Sequence, residues 1–170
     1  MKAATLYQPW ATLTSIRAKR IETRSFSTKY RGQLAIHASR ERKYIDMYSK
    51  YYVCDKEPFY SILMEIDPFD LMRGAVIAIC ELTDCLEIIL PFLPTEQTGK
   101  LNASATQWSD IHYFPNGFLP ISNQERSFGD YTPGRFMWML GNVRELKHPI
   151  PAKGARRLWE WTPPQELVFK

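Results

Sequence analysis

The chain has 170 residues, of which 45% are hydrophobic and 24% charged, with a net charge of +4. That size fits one domain, residues 1–170, able to bury a core without staples, and the composition is that of an ordinary globular protein. No apolar run approaches the ~20 residues that span a bilayer, and the N-terminus lacks the residue order of a signal peptide, so a membrane partner is not expected.

Lys2 to Tyr7 reads as a short strand. Pro9 suits the first position of a helix, and Trp10, Leu13 and Ile16 follow at helical spacing, so a short amphipathic helix is predicted from Pro9 to about Ala18. Ile21 to Phe26 is β-branched and aromatic enough to be extended. Lys29 to Gly32 is a turn, and Gly32 to His37 the next strand. Ser39 is a good N-cap for a basic helix carrying Arg40, Arg42, Lys43 and Lys50. Glu57 to Ile66 reads as a further helix, closed by Asp67-Pro68. Gly74 to Leu90 is the strongest strand signal. It is long for one strand, which predicts a bend or bulge near Thr83-Asp84. Residues 91–124 are rich in Pro, Gly, Asn, Ser and Thr and read as a long loop insertion, a candidate cover for a site. Gly134 to Leu146 alternates as a strand, and Pro149 to Trp161 reads as a loop with a short final strand. Short strands interleaved with a few helices predict an α+β or mainly β, barrel-like fold.

Cys54, Cys80 and Cys85 are an odd count without a C-x-x-C spacing, which reads as free thiols in a reducing, cytoplasmic setting. His112 and His148 have no cysteine or acid at ligand spacing, so no metal and no cofactor is expected. The charge is unevenly spread. Residues 15–53 carry ten Lys or Arg against three acids (+7), and residues 54–99 carry two against nine (−7). A basic block beside aromatics suits a phosphate or polyanion partner, and a solvated helix face is the plainer alternative.

Lys19 follows the first helix, and Glu22 and Arg24 share one face of the next strand while Thr23 takes the other. Glu81 interrupts an apolar run, and a carboxylate there needs a partner. One cluster of Lys19, Glu22, Arg24 and Glu81 is therefore expected. Two carboxylates beside two cations can move a proton, polarise a carbonyl or bind a nucleobase edge. The same cluster could equally be a buried salt-bridge network that closes a barrel.

Arg17-Ala18-Lys19-Arg20-Ile21-Glu22-Thr23-Arg24 resembles the G-x-K-x-x-E-x-R signature of the ASCH domain, a branch of the PUA-like superfamily. The Lys, Glu and Arg match, and Arg17 stands where the signature has Gly. The flanks resemble the family too: Gln8-Pro9-Trp10-Ala11, Tyr30-Arg31-Gly32, Ile36-His37-Ala38-Ser39, Gly74 to Cys85 as the glutamate-bearing strand, Phe128-Gly129-Asp130-Tyr131 through Trp138 as a closing strand, and Pro149-Ile150-Pro151-Ala152-Lys153-Gly154 to Trp159 as the tail. The resemblance implies a small β-barrel of about five to six strands flanked by helices, with a cleft beside the signature. It implies RNA, a single-stranded nucleic acid or a modified nucleobase as partner. Some small bacterial members are amidohydrolases that deacetylate N4-acetylcytidine with a Lys, a Thr and a Glu. Lys19 and Glu81 would match two of these, and the Thr position falls on Glu22. A variant mechanism would use Glu22 or Glu81 as base and Lys19 with Arg24 as oxyanion stabilisers. A few members are described as ribonucleases, and a non-catalytic interaction domain is the remaining alternative. The candidate catalytic residues are thus Lys19, Glu22 and Glu81. The candidate binding residues are Gln8, Trp10, Arg24, Tyr30, Arg31 and His37.

Overall fold

The computed structural model describes residues 1–44, 59–63, 71–89, 111–114 and 117–170. Its strands are β1 (Lys2–Leu6), β2 (Ile21–Arg24), β3 (Gly32–Ala38), β4 (Ala75–Glu87), β5 (Ile111–Phe114), β6 (Gly117–Pro120), β7 (Phe136–Pro151) and β8 (Leu158–Glu160). Short helices accompany them, among the described residues α1 (Trp10–Ser15), α2 (Phe59–Leu63) and α3 (Asn123–Ser127). Six strands form one mixed sheet in the order β2-β7-β4-β3-β1-β8, and β5 pairs with β6 apart from it. Within the sheet β1 runs parallel to β3, and the other pairs are antiparallel. The sheet curls into a half-barrel with short helices against it, mostly β and consistent with a PUA-like barrel.

The curl has a local cause. The β4–β7 register shifts between Val76 and Ala78, between Ile79 and Glu81, and between Leu82 and Asp84. Each extra residue bends the strand and raises its twist. The last shift lies at the predicted Thr83-Asp84 bend. On the concave face Leu34, Ile36, Cys80, Leu82, Trp138 and Leu140 make the main core with Ala11 of α1. On the other face Ala35, Val76, Ile79 and Leu146 pack with Trp161, Leu167 and Phe169. Leu13, Leu63 and Phe128 join α1, α2 and the end of α3 in a smaller cluster.

The outer strands β2 and β8 do not pair with each other. Arg24 crosses that gap instead. Its Nη2 donates to the Thr5 carbonyl at 2.8 Å, just past the end of the β8–β1 ladder, which stops at Ala4.

Several boundaries differ from the sequence expectation. α1 spans Trp10–Ser15, not Pro9 to Ala18, and Pro9 is its N-cap. Arg17 ends it, with φ 67°, so the chain leaves in the left-handed conformation for which the ASCH signature uses Gly. Its Nε donates to the Val143 carbonyl at 3.1 Å, which offsets part of the roughly 1–2 kcal/mol that a side chain costs there. β2 stops at Arg24 rather than Phe26, and β7 continues through Pro151 into the stretch expected to be a loop. Phe128–Tyr131 forms the turn after α3, not a closing strand. The expected 91–124 loop contains β5, β6 and the first residues of α3. A cover over the site by residues 91–110, and most of the basic helix after Ser39, lie outside the described residues.

Candidate functional site

Lys19 arrives at the site because the left-handed turn at Arg17 folds the chain back. The Lys19 amide donates to the Leu13 carbonyl at 3.0 Å, which pins it under α1. Its side chain is 1% exposed. The ammonium donates to the Ile21 carbonyl and lies 3.2 Å from Glu22 Oε2. Glu22 and Arg24 then share the concave face of β2, as a strand period of two requires. Arg24 Nε lies 3.0 Å from Glu22 Oε1, an ion pair by distance without hydrogen-bond alignment. The guanidinium is 5.8 Å from the centre of the Trp138 ring. Glu22 is thus a carboxylate held between two cations, with its side chain 14% exposed.

Glu22 opens onto a cavity of about 390 Å³ between α1 and the turn after α3. One wall is aromatic. Tyr7, Trp10 and Tyr44 meet edge-on, with ring centres 5.0 Å apart for Tyr7–Tyr44 and 5.1 Å for Trp10–Tyr44. The other wall is Thr23, Gly129, Asp130 and Arg135. Gly129 has to be small here. A Cβ would sit 2.8 Å from Tyr131 Cε2 and 3.1 Å from Thr23 Cγ2. Thr23 Oγ1 accepts the Asp130 amide at 3.0 Å, so this wall is tied to β2. Hydrogen bonds from Thr132, with Arg135 nearby, hold the Asp130 carboxyl below the usual carboxylate range. Burial raises the Tyr131 phenol far above its ordinary value, and the carboxylates of Glu125 and Glu22 add to this. Tyr131 therefore stays a neutral hydroxyl at any ordinary pH.

The other predicted residues divide. Trp10 lines the cavity and also packs against the Leu13–Phe128 cluster. Gln8 does not face the cavity. It is buried, accepts the Thr12 amide at 3.1 Å and donates to the Met72 carbonyl at 2.6 Å, so it caps α1. Tyr30 and Arg31 lie in the turn beyond β2, away from Glu22. The Tyr30 hydroxyl donates to the Gln33 carbonyl, and Arg31 pairs with Asp84 at 2.8 Å. His37 lies buried in β3 beneath the segment after β7, its Nε2 bonded to the Ala152 carbonyl at 3.0 Å. A carbonyl only accepts, so Nε2 carries the proton. Burial lowers the imidazole pKa, and Arg40 lowers it further against the effect of that bond.

Glu81 corrects the expected cluster. Cys80 and Leu82 point into the concave core, so Glu81 between them faces the opposite side of the sheet. There Asn142 Nδ2 donates to its Oε2 at 2.7 Å. It lines a separate, larger cavity of about 470 Å³ with Gln33, Asn142 and Arg144. Glu81 is only half-buried there, and its partner comes from β7, not from Lys19 or Arg24. Volume alone favours that cavity, but the charged constellation and the aromatic wall belong to the smaller one.

The carboxylate that does support the signature is Glu125, absent from the candidate residues. It is buried, and its two oxygens accept the amides of Arg20 and Ile21, each at 2.9 Å. Its own amide is capped by Ser122 Oγ at 3.1 Å. The Ser122-x-x-Glu125 spacing is a capping-box pattern, but the Glu reaches across to the signature instead of back to its own helix. Among the described residues no group of three His, Cys, Asp or Glu is placed to hold a metal ion.

No family model matches the chain. It is similar to Activating signal cointegrator 1 of Mus musculus, 27% identical over 158 residues that cover 91% of this chain and 21% of that protein. The chain therefore spans about a fifth of the length of the curated relative that it matches, and the likeness is one of distant homology.

Proposed function

We propose that this chain is an ASCH domain that binds RNA, single-stranded nucleic acid or a modified nucleobase, with the base in the Glu22 cavity. One observation carries the reading. A carboxylate fixed between Lys19 and Arg24 faces an open cavity with an aromatic wall. A carboxylate accepts from the exocyclic amine and ring N–H of a base edge, and aromatic walls take its faces. The distant homology to Activating signal cointegrator 1 and the Lys19, Glu22 and Arg24 of the signature agree with it. Hydrolysis of an acylated nucleoside is less well supported. Glu81 is on the far side of the sheet, and the Lys19 ammonium is already engaged by Ile21 and Glu22.

Fluorescence anisotropy with end-labelled single-stranded RNA at low salt tests the proposal, with nucleosides including N4-acetylcytidine as competitors. Charged hydrogen bonds contribute about 1.5–3 kcal/mol, so Glu22→Gln should weaken binding about 10- to 100-fold. No binding at low salt, or equal binding by Glu22→Gln, would remove the reading. Deacetylated product on chromatography would replace it with the hydrolase.

A further inference from the structure

We infer that the segment between β7 and β8, residues 152–157, is a phosphate-binding rim joined to Glu22 through Thr5 and Arg24, and that the ligand is a single-stranded nucleic acid rather than a free nucleoside. The inference rests on the base-binding reading above.

The segment carries Lys153, Arg156 and Arg157, all exposed. None of the three is in an ion pair among the described residues, while Lys2, Arg31, Arg135 and Lys170 each have an acidic partner. Three unneutralised cations in five residues attract a polyanion. The backbone that carries them is also held in place. The Ala152 amide donates to the Gly74 carbonyl at 3.0 Å, the Ala152 carbonyl is bonded to His37 at 3.0 Å, and the Ala155 carbonyl accepts from Thr5 Oγ1 at 2.9 Å. Gly154 lies so close to the His37 ring and Thr5 Oγ1 that a Cβ there would collide with both. A solvated loop of no consequence needs none of these ties. A backbone fixed beforehand loses little freedom when its side chains meet a ligand.

Arg157 is the most constrained of them. Its φ of 60° is left-handed, a conformation that a long side chain rarely adopts. Its guanidinium lies 5.5 Å from the centre of the Phe26 ring. Phe26 in turn packs edge-on against Trp138, which underlies Arg24. Direct contacts therefore connect the rim to the base site, from Glu22 to Arg24, from Arg24 to Thr5, and from Thr5 to Ala155. A nucleotide with its base against Glu22 would lead its backbone over Arg24 onto this rim.

The test uses the full chain and end-labelled RNA of mixed sequence, with affinity measured between about 50 and 200 mM salt. Each single-strand phosphate contact contributes about 0.7 to the slope of log affinity on log salt. Removing all three charges with Lys153→Ala, Arg156→Ala and Arg157→Gln should flatten the slope by about 2 and weaken binding about 100-fold at 0.1 M salt. Replacing both arginines by lysine should retain most of the slope, which separates lost charge from lost folding. A charge-free rim with wild-type slope would overturn the inference, as would duplex DNA of the same length bound equally tightly. If the wild type binds nucleosides and the charge-free variant keeps the wild-type slope, only the rim is wrong. If it binds neither nucleoside nor RNA, the base-binding reading falls as well.

Discussion

Replacing Lys19 by methionine keeps the apolar stem and removes the ammonium. The expected cost follows from the contacts. Leaving a fully buried ion pair with one partner costs about 3–5 kcal/mol. Here Glu22 keeps Arg24 at 3.0 Å and its side chain is 14% exposed, which softens the penalty, while the Ile21 carbonyl loses its donor. About 2–4 kcal/mol is expected. At this chain length each kcal/mol lowers the melting temperature by about 2–4 °C, so the variant should melt roughly 4–16 °C below the wild type. Urea and thermal unfolding of Lys19→Met, Glu22→Gln and the double variant close a double-mutant cycle. A pair in direct contact should show about 0.5–3 kcal/mol of coupling. If Lys19→Met unfolds within about 0.5 kcal/mol of the wild type, or the coupling vanishes, the picture of a buried cation fixing Glu22 is refuted.

Glu125→Ala leaves the Ile21 amide buried without an acceptor and the Arg20 amide to water. It should cost about 2–4 kcal/mol, and an unchanged urea midpoint would show that Glu125 does not hold the signature. Burial lowers the His37 pKa from its ordinary 6.5, so the unfolded chain takes up that proton first as pH falls. Wild-type stability should therefore drop as pH falls through 6.5 toward the lower folded value, and comparing denaturant midpoints at neutral and mildly acidic pH, His37→Gln should lack that part of the loss. Burial, and secondarily Glu81, pushes the Cys80 thiol up to about 12. Native-state alkylation followed by mass spectrometry should label the half-exposed Cys85 and spare Cys80, and equal labelling would contradict the buried position of β4.

The parts of the site that were legible in the sequence are those fixed by neighbours in the chain. Lys19, Glu22 and Arg24 lie within six positions, so a helix exit and a strand period suffice to bring them together. Glu81 was misplaced because its partner depends on a register. Three shifts in the β4–β7 ladder decide what lies opposite it, and only the last, at Thr83-Asp84, is written in the local pattern. Glu125 was missed for a related reason. It reaches Ile21 across 104 positions, from a short helix that starts only at the end of the stretch whose composition reads as loop. Arg17 is a different case. The turn survives without its glycine because Val143, on a strand remote in sequence, accepts its side chain.

The gap between the outer strands β2 and β8, which Arg24 crosses, gives the Glu22 site a mechanical character. A ladder of backbone bonds gives way only when a strand peels off, a slow and cooperative event. One guanidinium on one carbonyl can release and re-form as a side-chain rotation, with the strands on either side still paired. This contact beside Glu22 can thus release without breaking a bond of the sheet's own ladders. Ligand entry would then leave amide exchange in β4 and β7 unchanged, and its trace would be confined to Arg24, Thr5 and the residues they touch.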